Sequence, residues 1–140
     1  MDLDECNKKG HIIKIRINSE LIKSIIEISN TNENTVKNAA LNESNIISYV
    51  SLAYDSLRIT MEAICLSRGY KVLSHICLGE LVKILDKDFN FIEFDRWRYI
   101  RNGINYYGTK IDYSQGKEII NKMFLMKRTL IKNNLIDYLK

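Results

Sequence analysis

Between residues 45 and 67, apolar side chains recur at Ile46, Val50, Ala53, Tyr54, Leu57, Met61, Ile64 and Cys65. Steps of three and four residues gather them into one broad stripe, which predicts an amphipathic helix. At a rise of about 1.5 Å per residue such a helix is roughly 35 Å long, enough to run the length of a small domain. Gly69 stands just beyond, where a left-handed residue ends a helix.

Similar spacing predicts four more helices. One starts at Ser19 as N-cap and carries Leu21, Ile22, Ile25, Ile28, Val36, Ala39 and Ala40, with a polar gap over 31–34. It is read as one helix reaching about residue 41 rather than two joined by a kink. Ser74 caps a shorter helix with Ile76, Leu81, Val82, Ile84 and Leu85. After a loop over 86–90 comes a helix with Phe94, Trp97, Ile100, Ile104 and Tyr107, closed by Gly108. Trp97, Ile100, Ile104 and Tyr107 are assigned to the core. The last helix begins near Ser114 and runs to the C-terminus through Ile119, Ile120, Met123, Leu130, Ile131 and Leu135. Short loops between amphipathic helices make neighbours antiparallel.

Residues 11–18 follow a different period. Ile13, Ile15 and Ile17 alternate with Lys14, Arg16 and Asn18, the signature of an extended arm or short strand. A lone strand is not stable, so the arm lies on the bundle or pairs with a second subunit. The first nine residues read as a frayed tail. The expected fold is all-α: an antiparallel four- to five-helix up-and-down bundle over residues 19–140, preceded by a tail and short extended arm over 1–18.

Composition agrees with this pattern. The chain has 140 residues, no proline and six glycines, so the commonest helix breakers are scarce and the turn-rich β-folds are disfavoured. Three cysteines, Cys6, Cys65 and Cys77, form no Cys-x-x-Cys pair. Their odd number argues against a disulfide framework, and Cys65 and Cys77 are read as small core residues. No run of about 18 apolar residues predicts a membrane span. The polar N-terminal residues lack the apolar core of a signal peptide, and the expected location is cytoplasmic. A formal net charge of +4 is compatible with an anionic partner without identifying one.

Phosphate-binding glycine loops, metal-ligand spacings and Gly-x-Ser-x-Gly are all missing from the sequence, and His11 and His75 are the only histidines. No metal or cofactor is expected. The segment 96–108, Arg-Trp-Arg-Tyr-Ile-Arg-Asn-Gly-Ile-Asn-Tyr-Tyr-Gly, stands apart. On a helix Arg98, Arg101 and Asn105 share one face, with Asn102 and Tyr106 adjacent. Asparagine and glycine are poor helix formers, and such local conflict often marks function. The plainer reading is a solvated face, its arginines paired with Asp95 or Glu93. Lys117, Lys122, Lys127, Arg128 and Lys132 offer either a further phosphate-binding surface or, more commonly, the solvent face of an amphipathic helix.

The run Tyr54-Asp55-Ser56-Leu57-Arg58, then Gly69-Tyr70-Lys71 and His75, then Arg101-Asn102 through Tyr107-Gly108 resembles an archaeal or bacterial HEPN domain. The resemblance spans about residues 19–135, and the Arg-Asn element is its most specific part. It implies a four- to five-helix bundle that forms a homodimer. In its catalytic members, arginines and histidines of both subunits meet in a cleft and cleave RNA without metal, the ribose 2′-hydroxyl attacking the adjacent phosphate. Arg101 and Asn102 match the start of the family motif, and Tyr106 stands where its histidine belongs. An unperturbed phenol of pKa ~10 is ionised about one part in a thousand at neutral pH, so its use as a base costs roughly 4 kcal/mol. His75 is a second candidate base, though a capping or buried histidine is the commoner case.

The candidate catalytic residues are therefore Arg101, Asn102, Tyr106 and His75. The candidate nucleic-acid contacts are Arg96, Arg98, Asn105, Tyr107 and Lys110. RNA or a nucleotide is the expected ligand, either cleaved or only held. The resemblance also brings in a nucleotidyltransferase-type protein partner that modifies a tyrosine. The alternative is a non-catalytic dimeric helical module that binds another protein.

Overall fold

A computed structural model describes residues 1–139, which are mostly helical. The central element is α3, Ile46–Ser67. More than half of its residues are buried, including Leu57, Met61 and Ile64, because it is packed on several sides. Helices α2 (Ser19–Lys37), α4 (His75–Leu85), α5 (Phe91–Tyr107) and α6 (Tyr113–Asn134) all touch it. Each fully buried Leu, Ile or Met contributes about 1.5–3 kcal/mol, so the α3 surface dominates the core energetics. No helix among the described residues is long and apolar enough to cross a membrane.

Helix boundaries follow the local chemistry. Ser74 accepts from the Cys77 amide, the cap its position foretold, and Asn90, read only as the end of a loop, accepts from the Glu93 amide. Gly69 and Gly108 adopt φ of 85° and 66°, the left-handed conformation that ends α3 and α5. The first long helix is capped one residue earlier than expected. Asn18 accepts from the Leu21 amide, leaving Ser19 as the first helical residue. The same helix ends at Lys37 rather than near residue 41, and it buries Ile22, Ile26, Ser29 and Val36. Leu21 and Ile28, two of the apolar positions that set its spacing, are exposed. The last helix stops at Asn134 and gives way to a single 3-10 turn, Ile136–Tyr138.

The N-terminal region is more ordered than its composition foretells. Residues Leu3–Lys8 form α1, capped by Asp2, which accepts from the Glu5 amide. Cys6 is disulfide-bonded to Cys77 on α4 across 71 residues. The expectation of a frayed tail is thereby corrected, as is that of Cys77 as a plain core residue. The cause is a long-range covalent tie that local sequence does not show. The extended arm contains β1, Ile12–Lys14, paired antiparallel with β2, Tyr70–Val72, as Ile12 with Val72 and Lys14 with Tyr70. This two-stranded ribbon adds to the helices, and the arm lies on its own chain.

Candidate functional site

The α3 helix carries a polar stripe within its apolar surface. Ser51, Asp55, Arg58 and Glu62 follow at steps of four, three and four and so share one face. Helix α5 lays Arg98, Arg101 and Asn105 beside that face. The Arg101 Nη2 donates to Asp55 Oδ1 at 3.2 Å, and Arg58 Nε lies 3.7 Å from the same oxygen. Arg58 Nη1 also donates to Glu62 Oε2 at 2.9 Å. Ser51 Oγ donates to Asn105 Oδ1 at 3.4 Å. One carboxylate is thus shared by two guanidinium groups.

His75 joins them from the first position of α4. Its Nδ1 lies 3.3 Å from the Tyr54 hydroxyl, and the Arg101 Cζ lies 5.5 Å from the centre of the Tyr54 ring. Burial raises the Tyr54 phenol above its ordinary range, so it keeps its proton. The Tyr54 hydroxyl and His75 Nδ1 satisfy each other as a hydrogen-bonded pair, with the donor set by the imidazole tautomer. Burial, with the nearby charges of Arg58, Arg101 and Arg98, lowers the His75 pKa to about 4. At neutral pH the ring is uncharged and offers an N–H donor. Burial likewise raises the Glu62 carboxyl, against the pull of Arg58.

The guanidinium groups remain rich in unused donors. Arg58 Nε and Arg101 Nε are buried without a hydrogen-bond partner, and so is Trp97 Nε1. The side chains of Arg58, Arg98 and Arg101 are 21%, 16% and 17% exposed. Arg98 Nε donates to Asp95 at 2.9 Å, the within-helix pair foreseen for it, whereas Arg101 reaches across to α3 instead.

Of the sequence candidates, Arg98, Arg101, Asn105 and His75 therefore gather along the α3–α5 and α3–α4 seams. Asn102 is half-buried beside them. Tyr106 does not join the group: five residues advance a helix by about 140° past Arg101, and its side chain is 72% exposed. Tyr107, assigned to the core from its spacing, is 85% exposed at the last position of α5. Arg96 is exposed and pairs with Glu93 at 2.7 Å, and Lys110 lies exposed beyond the helix. The site residues missed by sequence reasoning are Tyr54, Asp55, Arg58 and Glu62. Their signal was the polar stripe on an otherwise apolar helix.

Lys127 is a second correction. Placed by spacing on a solvent or phosphate-binding face, it is 1% exposed. Its Nζ donates to Asn30 Oδ1 at 3.0 Å and Ser56 Oγ at 3.2 Å and pairs with Glu33 at 2.8 Å. Ser29 and Thr60 extend this buried network between α2, α3 and α6. Among the described residues no group of His, Cys, Asp and Glu side chains could hold a metal ion. An apolar cavity of 430 Å³ beside β2, lined by Ile15, Leu21, Ile25 and Leu66, has Glu62 at its wall and so adjoins the arginine cluster. No family model, curated protein or solved structure matches this chain.

Proposed function

We propose that this protein is a HEPN-like homodimer, an up-and-down helical bundle that binds RNA or a nucleotide through the Arg58–Asp55–Arg101 cluster. The observation that carries this reading is a donor surplus. Two guanidinium groups share one carboxylate, both of their Nε–H groups are unmet, and a neutral His75 lies alongside. Both Nε atoms are buried, so a phosphate oxygen meets the partly exposed Nη ends of the two side chains, the planar fork by which arginine binds it. Arg96, Asn105 and Lys110 are exposed nearby along the chain and extend the contact to the flanking phosphates.

Cleavage needs a group that takes a proton from the ribose 2′-hydroxyl. Tyr106 is remote from Arg101 along the helix surface, and burial lowers the His75 pKa to about 4, which makes its imidazole a weak base. Binding is therefore favoured over turnover, with Arg101 stabilising phosphate charge. A specific observation favours a second reading, a non-catalytic module for a protein partner such as a nucleotidyltransferase. Arg98 and Arg101 are each held in an ion pair and mostly covered.

Incubation of labelled RNA with wild type and Arg101→Ala in EDTA distinguishes these outcomes. Retained, uncleaved RNA that is lost in the variant is the expected result. Cleavage that depends on Arg101 makes the protein a metal-independent ribonuclease. Neither binding nor cleavage leaves the protein-binding module.

A further inference from the structure

Helices α5 and α6 both pack on α3, and a cleft remains between them. Its floor is apolar: Phe89, Trp97 and Leu130 are buried there, and Leu125 on its wall is 58% exposed. The cavity measures 410 Å³, within the roughly 300–1,000 Å³ of small-molecule sites. Such sites join an apolar lining to a few placed polar groups, and two polar features here decide what the cleft takes.

The first is a donor with nothing to bond. Trp97 is 1% exposed, and its Nε1–H is shielded from water without an acceptor. Buried N–H groups in native folds are almost always paired, and an unpaired one destabilises the fold until an acceptor meets it. To reach the indole, an acceptor must turn a lining side chain aside. Met126, unbranched and half-buried in the same cavity, has the freedom to move.

The second feature is negative charge without a counter-ion. Asn133 Nδ2 bridges Asp86 Oδ2 at 3.2 Å and Asp88 Oδ2 at 3.1 Å, and among the described residues neither carboxylate meets a cation. Asp88 is exposed and lines the cleft. The other charged groups of the lining are already matched, Glu93 with Arg96 at 2.7 Å and Lys122 with Glu118 at 3.1 Å. The charge left over is therefore negative, which attracts a cation and disfavours a phosphate.

We infer that the α5–α6 cleft binds a small organic amine. The ammonium pairs with Asp88, the apolar body lies against Trp97 and Leu125, and an oxygen or ring-nitrogen acceptor takes the indole N–H. The arginine cluster has no part in this site, so it stands or falls separately from RNA binding.

Trp97 is the only tryptophan, so its fluorescence reports on the cleft directly. The full chain is titrated with tyramine, a ring with an amine at one end and a phenol oxygen at the other, with excitation where tyramine does not absorb. Parallel titrations use phenethylamine, which lacks the oxygen, and para-hydroxyphenylacetate, which carries a carboxylate in place of the ammonium. Asp88→Asn removes the charge, and Thr129→Phe fills the cleft from its rim. Both positions are exposed, so the variants keep the wild-type helical circular dichroism. The expected result with tyramine is a saturable shift of emission to longer wavelength, as the indole gains a hydrogen bond. Its dissociation constant rises about tenfold in Asp88→Asn, and the shift is lost in Thr129→Phe. Phenethylamine binds several-fold more weakly, and the carboxylate gives no saturable shift. No saturable response to tyramine overturns the inference. So does equal affinity for either comparator, or tyramine binding that both variants leave unchanged.

Discussion

A lysine ammonium and a glutamate carboxylate withdrawn from water are stable only as partners. Burial lowers the Lys127 pKa below its usual value, and the hydrogen bond and charge of Glu33 offset only part of that. Burial alone would raise Glu33, yet hydrogen bonds from Lys127 and Lys37 hold it below its usual value. Both groups are therefore charged. Lys127→Met is expected to destabilise the fold by about 1–3 kcal/mol in urea denaturation, because Asn30, Ser56 and Glu33 lose their shared donor while Lys37 still pairs with Glu33. An unchanged midpoint would contradict the buried pairing. His75 acts through pH. The folded ring takes a proton near pH 4, while a free histidine does so near ~6.5. Between those values the unfolded chain binds more protons, so stability is lost as pH falls through that window. His75→Gln is expected to flatten this part of the stability profile, and an identical slope in the variant would exclude His75 as its source.

Among the elements, α3 to α6 were legible because period and caps agreed. Ser74, Gly69 and Gly108 each combine a local backbone preference with the right position. Burial was less legible. Lys127 and Tyr107 both fit their helical spacing, but only the position of α2 and the end of α5 decide which is covered. The arginine site was half-legible for the same reason: Arg98, Arg101 and Asn105 share a face by spacing, whereas Asp55 is supplied by another helix 46 residues away. The N-terminal elements were illegible, since six residues are too few for a helix to stand alone and α1 depends on its tie to α4. Cys6→Ser is accordingly expected to free α1 and open the Lys8–Lys9 segment to trypsin, with a loss of about 2–4 kcal/mol in overall stability. Reduction of the wild type should reproduce the cleavage, and equal resistance of both proteins would show that packing alone holds α1.

At the scale of the whole molecule, α5 presents two unlike faces. Its inner edge brings Arg98, Arg101 and Asn105 against the polar stripe of α3, and Tyr99 and Tyr106 stand exposed on its outer face. On the inner edge, the Asp55-bridged guanidinium pair is the proposed anion site for RNA. Fluorescence anisotropy of a labelled single-stranded RNA, titrated with wild type and Arg101→Ala over a range of salt concentrations, tests it most directly. The predicted result is affinity that falls with salt, a loss of about tenfold or more in the variant, and a log–log salt slope shallower by about 0.7 per lost phosphate contact. Equal affinity and equal slope for the two proteins, or no binding by the wild type, would contradict it.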